Sequence, residues 1–448
     1  MTITEKLDLA IKLKEKGTIS GGYDIKYGEK CSIMNHKKLL NRAYDRLIEI
    51  YGGNQASIEV GFLNRFYQEK MILKECELYT RYLGLLGRVR QVAEEKGEHI
   101  FVRGTAGSSL IAYLLGATDI NPLPRHDYCP NCHCVKFKGE YLPFEKDEVK
   151  CSCGADPIAE GFNIPFESNI KSVLSGYIQL TVSYELFDEV ERMIRDEMWD
   201  KAIITLRNDK LSPTWFCFQD KEKNEDGNYV LNGNSELFSK FPRITLVPDK
   251  TLDTYRELEK ATGYQMKDIG TKEYSEAFFE FMEGNIEGIP MFDNAFMREL
   301  WAKLKPQSYD DMLKMIGFAH STNVWKENGE WNYDEHRMSL REIPAYREDV
   351  FNLISEHLRN KGIYDFGLAY EVAEKTWRGH YAKIGQIDEE TMMAMFRLDI
   401  DEAFVFFLEQ VNYMFPKAHG VAYLRDAIRM MFYKKHFNQE YNKIILGK

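Results

Sequence analysis

Five of the eight cysteines in this 448-residue sequence lie between Cys129 and Cys153. Cys129-Pro-Asn-Cys132 is a C-x2-C knuckle, and Cys151-Ser-Cys153 adds a second thiolate pair after eighteen intervening residues. Two close pairs suit tetrahedral zinc, with Cys134, His126 and His133 as further ligand candidates. The plainer alternative is a set of reduced thiols without metal. A closed four-thiolate site is structural, because it leaves no position for water. Cys31, Cys76 and Cys217 are scattered singly, and such clustering in a long chain argues for metal rather than a disulfide framework.

The second chemical signal is Phe101-Val-Arg103-Gly104-Thr105-Ala-Gly107-Ser108-Ser109, a strand entering a turn of small residues and then a helix. Small residues let backbone amides approach an anion, the helix start adds its positive dipole end, and Arg103 can neutralise phosphate. The stretch lacks both the lysine of a P-loop and the spacing of a dinucleotide fingerprint. A tight strand-to-helix turn with Ser109 as its cap explains the same residues without a ligand.

The third is Met414-Phe-Pro-Lys417-Ala-His419-Gly-Val-Ala-Tyr423, leading into a helix to about Phe437. Val421, Leu424, Ile428 and Met431 share one face, and Arg425 and Arg429 another. Residues 411–448 carry seven Lys+Arg against two acids, a local +5 in a chain of net charge −11. A basic helix in an acidic chain points to an anionic partner, or simply to a solvated face.

The elements that must position these groups are readable around them. With 44% hydrophobic and 29% charged residues the chain is foldable and globular, and its length allows two to four domains. Its acidity excludes nucleic-acid binding through bulk charge, so any such contact must be local. The start, rich in charges, is unlike a signal peptide, and no stretch reads as a membrane span; the expected setting is the cytoplasm. Residues 1–62 read as an N-terminal helical layer, and a long amphipathic pattern runs from Phe62 to Gly97. Strands are expected at 99–102, 173–182, 201–206 and 243–247, helices at 110–115 and 184–200, and an exposed hairpin from Gln219 to Asn234. From Asp253 onward helical periods dominate, so an α+β half precedes a helical half.

These signals, in this order, resemble the PolC-type alpha subunit of bacterial DNA polymerase III. The matching stretches are Arg103 to Ser109, Asn121-Pro-Leu-Pro124 leading to His126 and the first cysteine pair, Asn163-Ile-Pro-Phe-Glu167, and Gly288-Ile-Pro290 with Phe292, Phe296 and Arg298. Ser308 to Trp325 and Met414 to Phe437 complete the series. The resemblance covers about residues 65–448 and corresponds to palm and fingers, with nothing like the family's exonuclease, PHP domain or C-terminal DNA-binding regions. It implies a polymerase-beta-like nucleotidyltransferase palm over 63–250, containing a structural zinc segment at 126–156, and a helical fingers-like domain over 251–448. Arg103, Gly104, Thr105, Gly107, Ser108 and Ser109 would cradle an incoming triphosphate. Lys417, His419, Arg425 and Arg429 would lie near nucleotide or template, and Cys129, Cys132, Cys151 and Cys153 would hold zinc, although the family's second pair is C-x2-C.

The resemblance breaks at the carboxylates. The family carries two aspartates one residue apart on one strand and a third on a later strand, where this sequence has Tyr177, Gln179 and Thr245. Two-metal phosphoryl transfer needs anionic oxygen ligands, which these side chains do not supply. Glu167, Glu185 and Asp249 are nearby but lack the alternate-residue spacing that puts two carboxylates on one face. The sequence therefore reads as a catalytically inactive PolC-like homologue, without bound Mg²⁺, that contacts DNA or a nucleotide weakly, or a replication protein. The competing readings are an active polymerase or nucleotidyltransferase with displaced metal ligands, and a protein-interaction scaffold.

Overall fold

The computed structural model describes residues 36–52, 58–138, 150–198, 202–204, 214–218 and 243–447. The expected hairpin at Gln219 to Asn234, Cys31 and the first 35 residues of the N-terminal layer lie outside that set, as does the side chain of Arg103. The described residues divide into two compact units, one holding those between 36 and 137 and between 150 and 265, the other holding mainly those from 266 to 447.

In the first unit three helices, α1 (His36–Tyr51), α2 (Val60–Lys74) and α3 (Glu77–Glu95), precede strand β1 (Ile100–Arg103) and the short helix α4 (Leu110–Leu114). The single amphipathic pattern expected from Phe62 to Gly97 is thus two helices. No glycine or proline marks the break; the Thr80 hydroxyl bridges it, 3.0 Å from the Leu73 carbonyl and 3.2 Å from that of Cys76. Packing of α1 on α3 and α4 also makes residues 36–51 part of this unit rather than a separate layer.

Further on come β2 (His126–Tyr128), β3 (Val135–Phe137), β4 (Ile158–Glu160), α5 (Ile170–Ser175), β5 (Tyr177–Val182), α6 (Tyr184–Met198), β6 (Ala202–Ile204), β7 (Thr214–Phe218), β8 (Arg243–Pro248) and α7 (Lys250–Thr262). The strand expected to start at Val173 starts four residues later. Gly176, at φ +63, closes α5 in the left-handed region that favours glycine, so Val173 to Ser175 are helical.

A five-stranded sheet has the order β1-β5-β8-β7-β6, with β5 and β8 parallel and the other pairs antiparallel. One face is apolar: Ile178, Leu180, Val182, Ile244 and Leu246 are buried, and helices α3 and α6 pack on the sheet with Leu83, Leu86, Val89, Leu186, Val190 and Ile194. Each such side chain contributes about 1.5–3 kcal/mol by leaving water. The alternate positions, among them Tyr177, Gln179 and Thr245, face the other way. A second sheet of order β3-β2-β4 carries the cysteine turns. The chain's mixed α+β class is as expected. Helix α7, expected with the helical half, belongs to the sheet unit.

The second unit contains α8 (Thr271–Met282), α9 (Ala295–Leu304), α10 (Tyr309–His320), α11 (Glu330–Asp334), α12 (Arg347–Asn360), α13 (Gly367–Trp377), α14 (His380–Ile384), α15 (Glu389–Arg397), α16 (Glu402–Gln410), α17 (Lys417–His436) and α18 (Asn438–Tyr441). Helix α17 is its spine, packed on α8 and α10 with Val421, Leu424, Ile428 and Met431 fully buried. Gly420 permits the closest approach, since a Cβ there would collide with the Tyr346 hydroxyl. No helix among the described residues is long and apolar enough to cross a membrane.

Candidate functional site

The cysteine turns are backbone-fixed. The Cys129 amide donates to the Cys134 carbonyl (3.0 Å) and the His133 amide to that of Cys129 (2.9 Å); the Cys151 amide donates to Ala155 O (2.9 Å) and the Gly154 amide to Cys151 O (2.8 Å). These turns bring the sulfurs of Cys129, Cys132, Cys151 and Cys153 within 4.8 Å of one another. Four thiolates at about 2.3 Å from one ion would be about 3.8 Å apart, so the set can hold a metal ion. Cys151 is held down at about 6 by the Cys153 amide and the neighbouring Cys134 and Cys132 thiols.

The histidines are used elsewhere. His126 is fully buried, with Nδ1 2.6 Å from the Pro124 carbonyl and Nε2 3.2 Å from the Tyr51 hydroxyl. His133 Nδ1 lies 3.1 Å from the Ile50 carbonyl. They dock the cysteine segment onto α1 and are not among the four close ligands, which corrects their candidacy. Burial lowers the His126 pKa, so the folded chain resists its protonation. Stability should therefore fall as pH drops below the ordinary imidazole value of about 6.5, by at most about 1.4 kcal/mol per pH unit. Urea midpoints between pH 7.5 and 5.5 check this: the wild type should decline more steeply than His126→Gln, and equal slopes would refute it.

At the Arg103–Ser109 turn, Gly104 has φ +95 and ψ −158, a conformation reserved for glycine. Ser109 caps α4 by accepting from the Ala112 amide (3.1 Å). The rest of the helix start is already taken by an anion, the carboxylate of Glu69 on α2, which is fully buried. One of its oxygens accepts from the Leu110 amide (2.9 Å) and Arg65 Nε (2.6 Å), the other from the Ile111 amide (3.1 Å) and the Ser109 hydroxyl (2.8 Å). Arg65 also donates to the carbonyls of Ser108 (2.7 Å) and Ile164 (3.0 Å). Ser108 bonds the Thr105 carbonyl (2.6 Å), and the Thr105 hydroxyl lies 2.8 Å from Asn169 Oδ1 and 2.5 Å from Ser172 Oγ. Sequence reasoning missed Glu69. Its signal is a lone acid in register with Phe62, Phe66 and Leu73 on an apolar stripe.

The three positions that the resemblance aligns with the family's aspartates, Tyr177, Gln179 and Thr245, do come together. Gln179 is the register partner of Thr245 on β8 and of Arg103 on β1, while Tyr177 is opposite Arg243. The Tyr177 hydroxyl donates to Gln179 Oε1 (3.1 Å), and the Arg243 guanidinium sits 4.8 Å from the Tyr177 ring centre. The nearby acids have other work. Glu185 pairs bidentately with Arg256, whose hydrogen bonds hold its carboxyl below the usual range. Glu98 also meets Arg256 (2.5 Å), Asp249 caps α7 through the Thr251 amide (2.9 Å), and Glu167 lies in the short turn Phe166–Asn169. Glu98, Glu185 and Asp249 flank the end of the sheet where β5 and β8 finish, whereas Tyr177 and Arg243 begin those strands.

In the second unit the start of α17 is closed in the same manner. The Lys417 amide donates to Glu348 (3.0 Å), a buried carboxylate that Arg347 also meets (3.0 Å), and Lys417 Nζ lies 3.9 Å from Asp349. Lys434 is buried too, donating to Asn285 Oδ1 (2.5 Å) and the Glu287 carbonyl (2.7 Å). Two cations of the basic segment are therefore structural. Arg425 and Arg429 flank Tyr274 of α8, whose hydroxyl burial raises to about 12 against their opposing pull, and Arg429 lies 3.2 Å from Asp426. His320, Phe415, His419 and Tyr423 form a half-buried stack, with ring centres 4.9 Å apart for His320–Phe415 and 5.9 Å for Phe415–Tyr423. His419 and Tyr423 are parallel to within 16°.

Residues 249–360 match the family model described as the bacterial DNA polymerase III alpha subunit finger domain. The chain is 23% identical to the PolC-type DNA polymerase III of Mycoplasmopsis pulmonis, over 91% of this chain and 33% of that protein. Its identity to the PolC-type enzyme of Thermotoga petrophila is 24% over 75% of this chain and 29% of the relative. For Streptococcus thermophilus it is 22% over 77% and 28%. The chain spans about a third of the length of these relatives. Over most of its own length it is similar to these PolC-type proteins.

Proposed function

We propose that this chain is a DNA-binding PolC-like homologue that no longer transfers nucleotides, working in the cytoplasm. In this reading the sheet unit is a polymerase-beta-like nucleotidyltransferase palm, the four cysteines hold structural zinc, and the second unit is fingers-like. One observation carries it: Tyr177, Gln179 and Thr245 sit together on one sheet face, where the resemblance calls for three carboxylates, and supply no anionic oxygen for two Mg²⁺. Of the acids that could replace them, Glu185 is engaged by Arg256 and Asp249 by a helix start.

The binding chemistry falls to side chains rather than helix ends, since Glu69 and Glu348 occupy both helix starts. Arg425 and Arg429 would meet backbone phosphates, and the stack of His320, Phe415, His419 and Tyr423 offers rings on which a base can lie. Arg103 with Gly104, Thr105 and Gly107 would add a phosphate contact, while Ser108 and Ser109 hold the turn. A triphosphate without its metals suffers more than a DNA backbone does, so weak, salt-sensitive DNA binding is expected over tight nucleotide binding. Titrating primer–template DNA at about 50 and 200 mM salt tests it, and Arg425→Ala/Arg429→Ala should lower the slope of log K against log salt by about 2. No binding at low salt, or indifference to both arginines, would instead support the protein-interaction scaffold.

A further inference from the structure

We infer that Cys134 is a redox-active fifth thiol of the cysteine centre, oxidised by peroxide and then joined to Cys151 so that the metal is expelled. This rests on the metal-binding reading of the other four cysteines.

Four thiolates fill a tetrahedral ion, yet five converge here. Cys134 is outside the mutually close set, but its sulfur is 3.3 Å from that of Cys151, nearer than Cys132 at 3.5 Å. Its place is fixed: its carbonyl accepts the Cys129 amide at 3.0 Å, and the next residue begins β3. Cys151 is fixed across from it by the Ala155 carbonyl. The centre is open on this side, since Cys132, Cys134 and Cys153 are exposed whereas Cys129 is buried. A thiol that is not needed as a ligand, reachable from solvent and held against a ligand sulfur, has the arrangement of an oxidisable cysteine beside a resolving one.

The chemistry balances with hydrogen peroxide as oxidant. The Cys134 thiol attacks one peroxide oxygen, breaking the O–O bond to give a sulfenic acid, while the thiol proton leaves with the departing hydroxide as water. The Cys151 thiolate then attacks the sulfenic sulfur, forming the disulfide and releasing hydroxide. The two sulfurs lose two electrons and peroxide gains them, while the zinc keeps its charge and is left with three thiolates. A dithiol reductant reverses the bond.

The test treats metal-loaded full chain with stoichiometric peroxide, follows zinc release with a chromogenic chelator, and maps disulfides by peptide fragmentation. Wild type should release zinc and yield a Cys134–Cys151 link. Cys134→Ser and Cys134→Ala should begin with the same zinc content and release it about tenfold more slowly. Equal release rates, or disulfides confined to the other four cysteines, would overturn the role of Cys134. Wild type isolated without stoichiometric metal would overturn the metal centre itself.

Discussion

Glu69→Ala will destabilise the sheet unit by about 3–5 kcal/mol, the cost of leaving three buried donors without an acceptor and the half-buried Arg65 without its counter-ion. The carboxylate it removes has no exposed surface and receives four hydrogen bonds, from Arg65, Ser109, Leu110 and Ile111. Alanine leaves the two amides and the hydroxyl without an acceptor, and the half-buried Arg65 guanidinium without its counter-ion. A Glu69→Gln variant keeps the shape but turns an NH₂ toward donors, so it should also lose stability, by a smaller amount. The denaturant midpoint reads the loss, and amide exchange over residues 104–115 should quicken first. A shift below about 1 kcal/mol would mean that the turn does not depend on this carboxylate.

The same residue marks where the sequence was and was not legible. The cysteine centre could be read because metal geometry imposes close spacing, and the four predicted thiols meet. The two strands that carry Gln179 and Thr245 could be read from alternation, since an apolar face alternates with a polar one, whereas their pairing could not. The three-residue strands β2, β3 and β4 are too short for any period to show, and they exist because His126 and Tyr51 dock the cysteine segment on α1. The break between α2 and α3 is carried by one hydroxyl, Thr80, and not by a glycine or proline.

The two helix starts were the least legible features. Small residues before α4 and the basic motif at α17 predict open anion sites, yet each is closed by a buried glutamate that pairs with an arginine of its own helix: Glu69 with Arg65, and Glu348 with Arg347. Such closure is invisible locally, because the closing residue is 41 positions from Leu110 in one case and 69 from Lys417 in the other. It also changes what the basic segment can offer: Lys417 and Lys434 are spent on internal contacts, so the +5 of residues 411–448 overstates the charge available to a polyanion.

Primer extension decides whether the chain transfers nucleotides. The assay uses the metal-loaded full chain with annealed primer–template DNA, all four deoxynucleotides and either Mg²⁺ or Mn²⁺. No template-directed incorporation is expected with either ion, because the face formed by Tyr177, Gln179 and Thr245 gives two divalent metals no carboxylate to bridge. Extension that follows the template and disappears on changing an acidic residue, such as Glu185→Gln, would contradict this expectation and place a working two-metal site elsewhere on the chain.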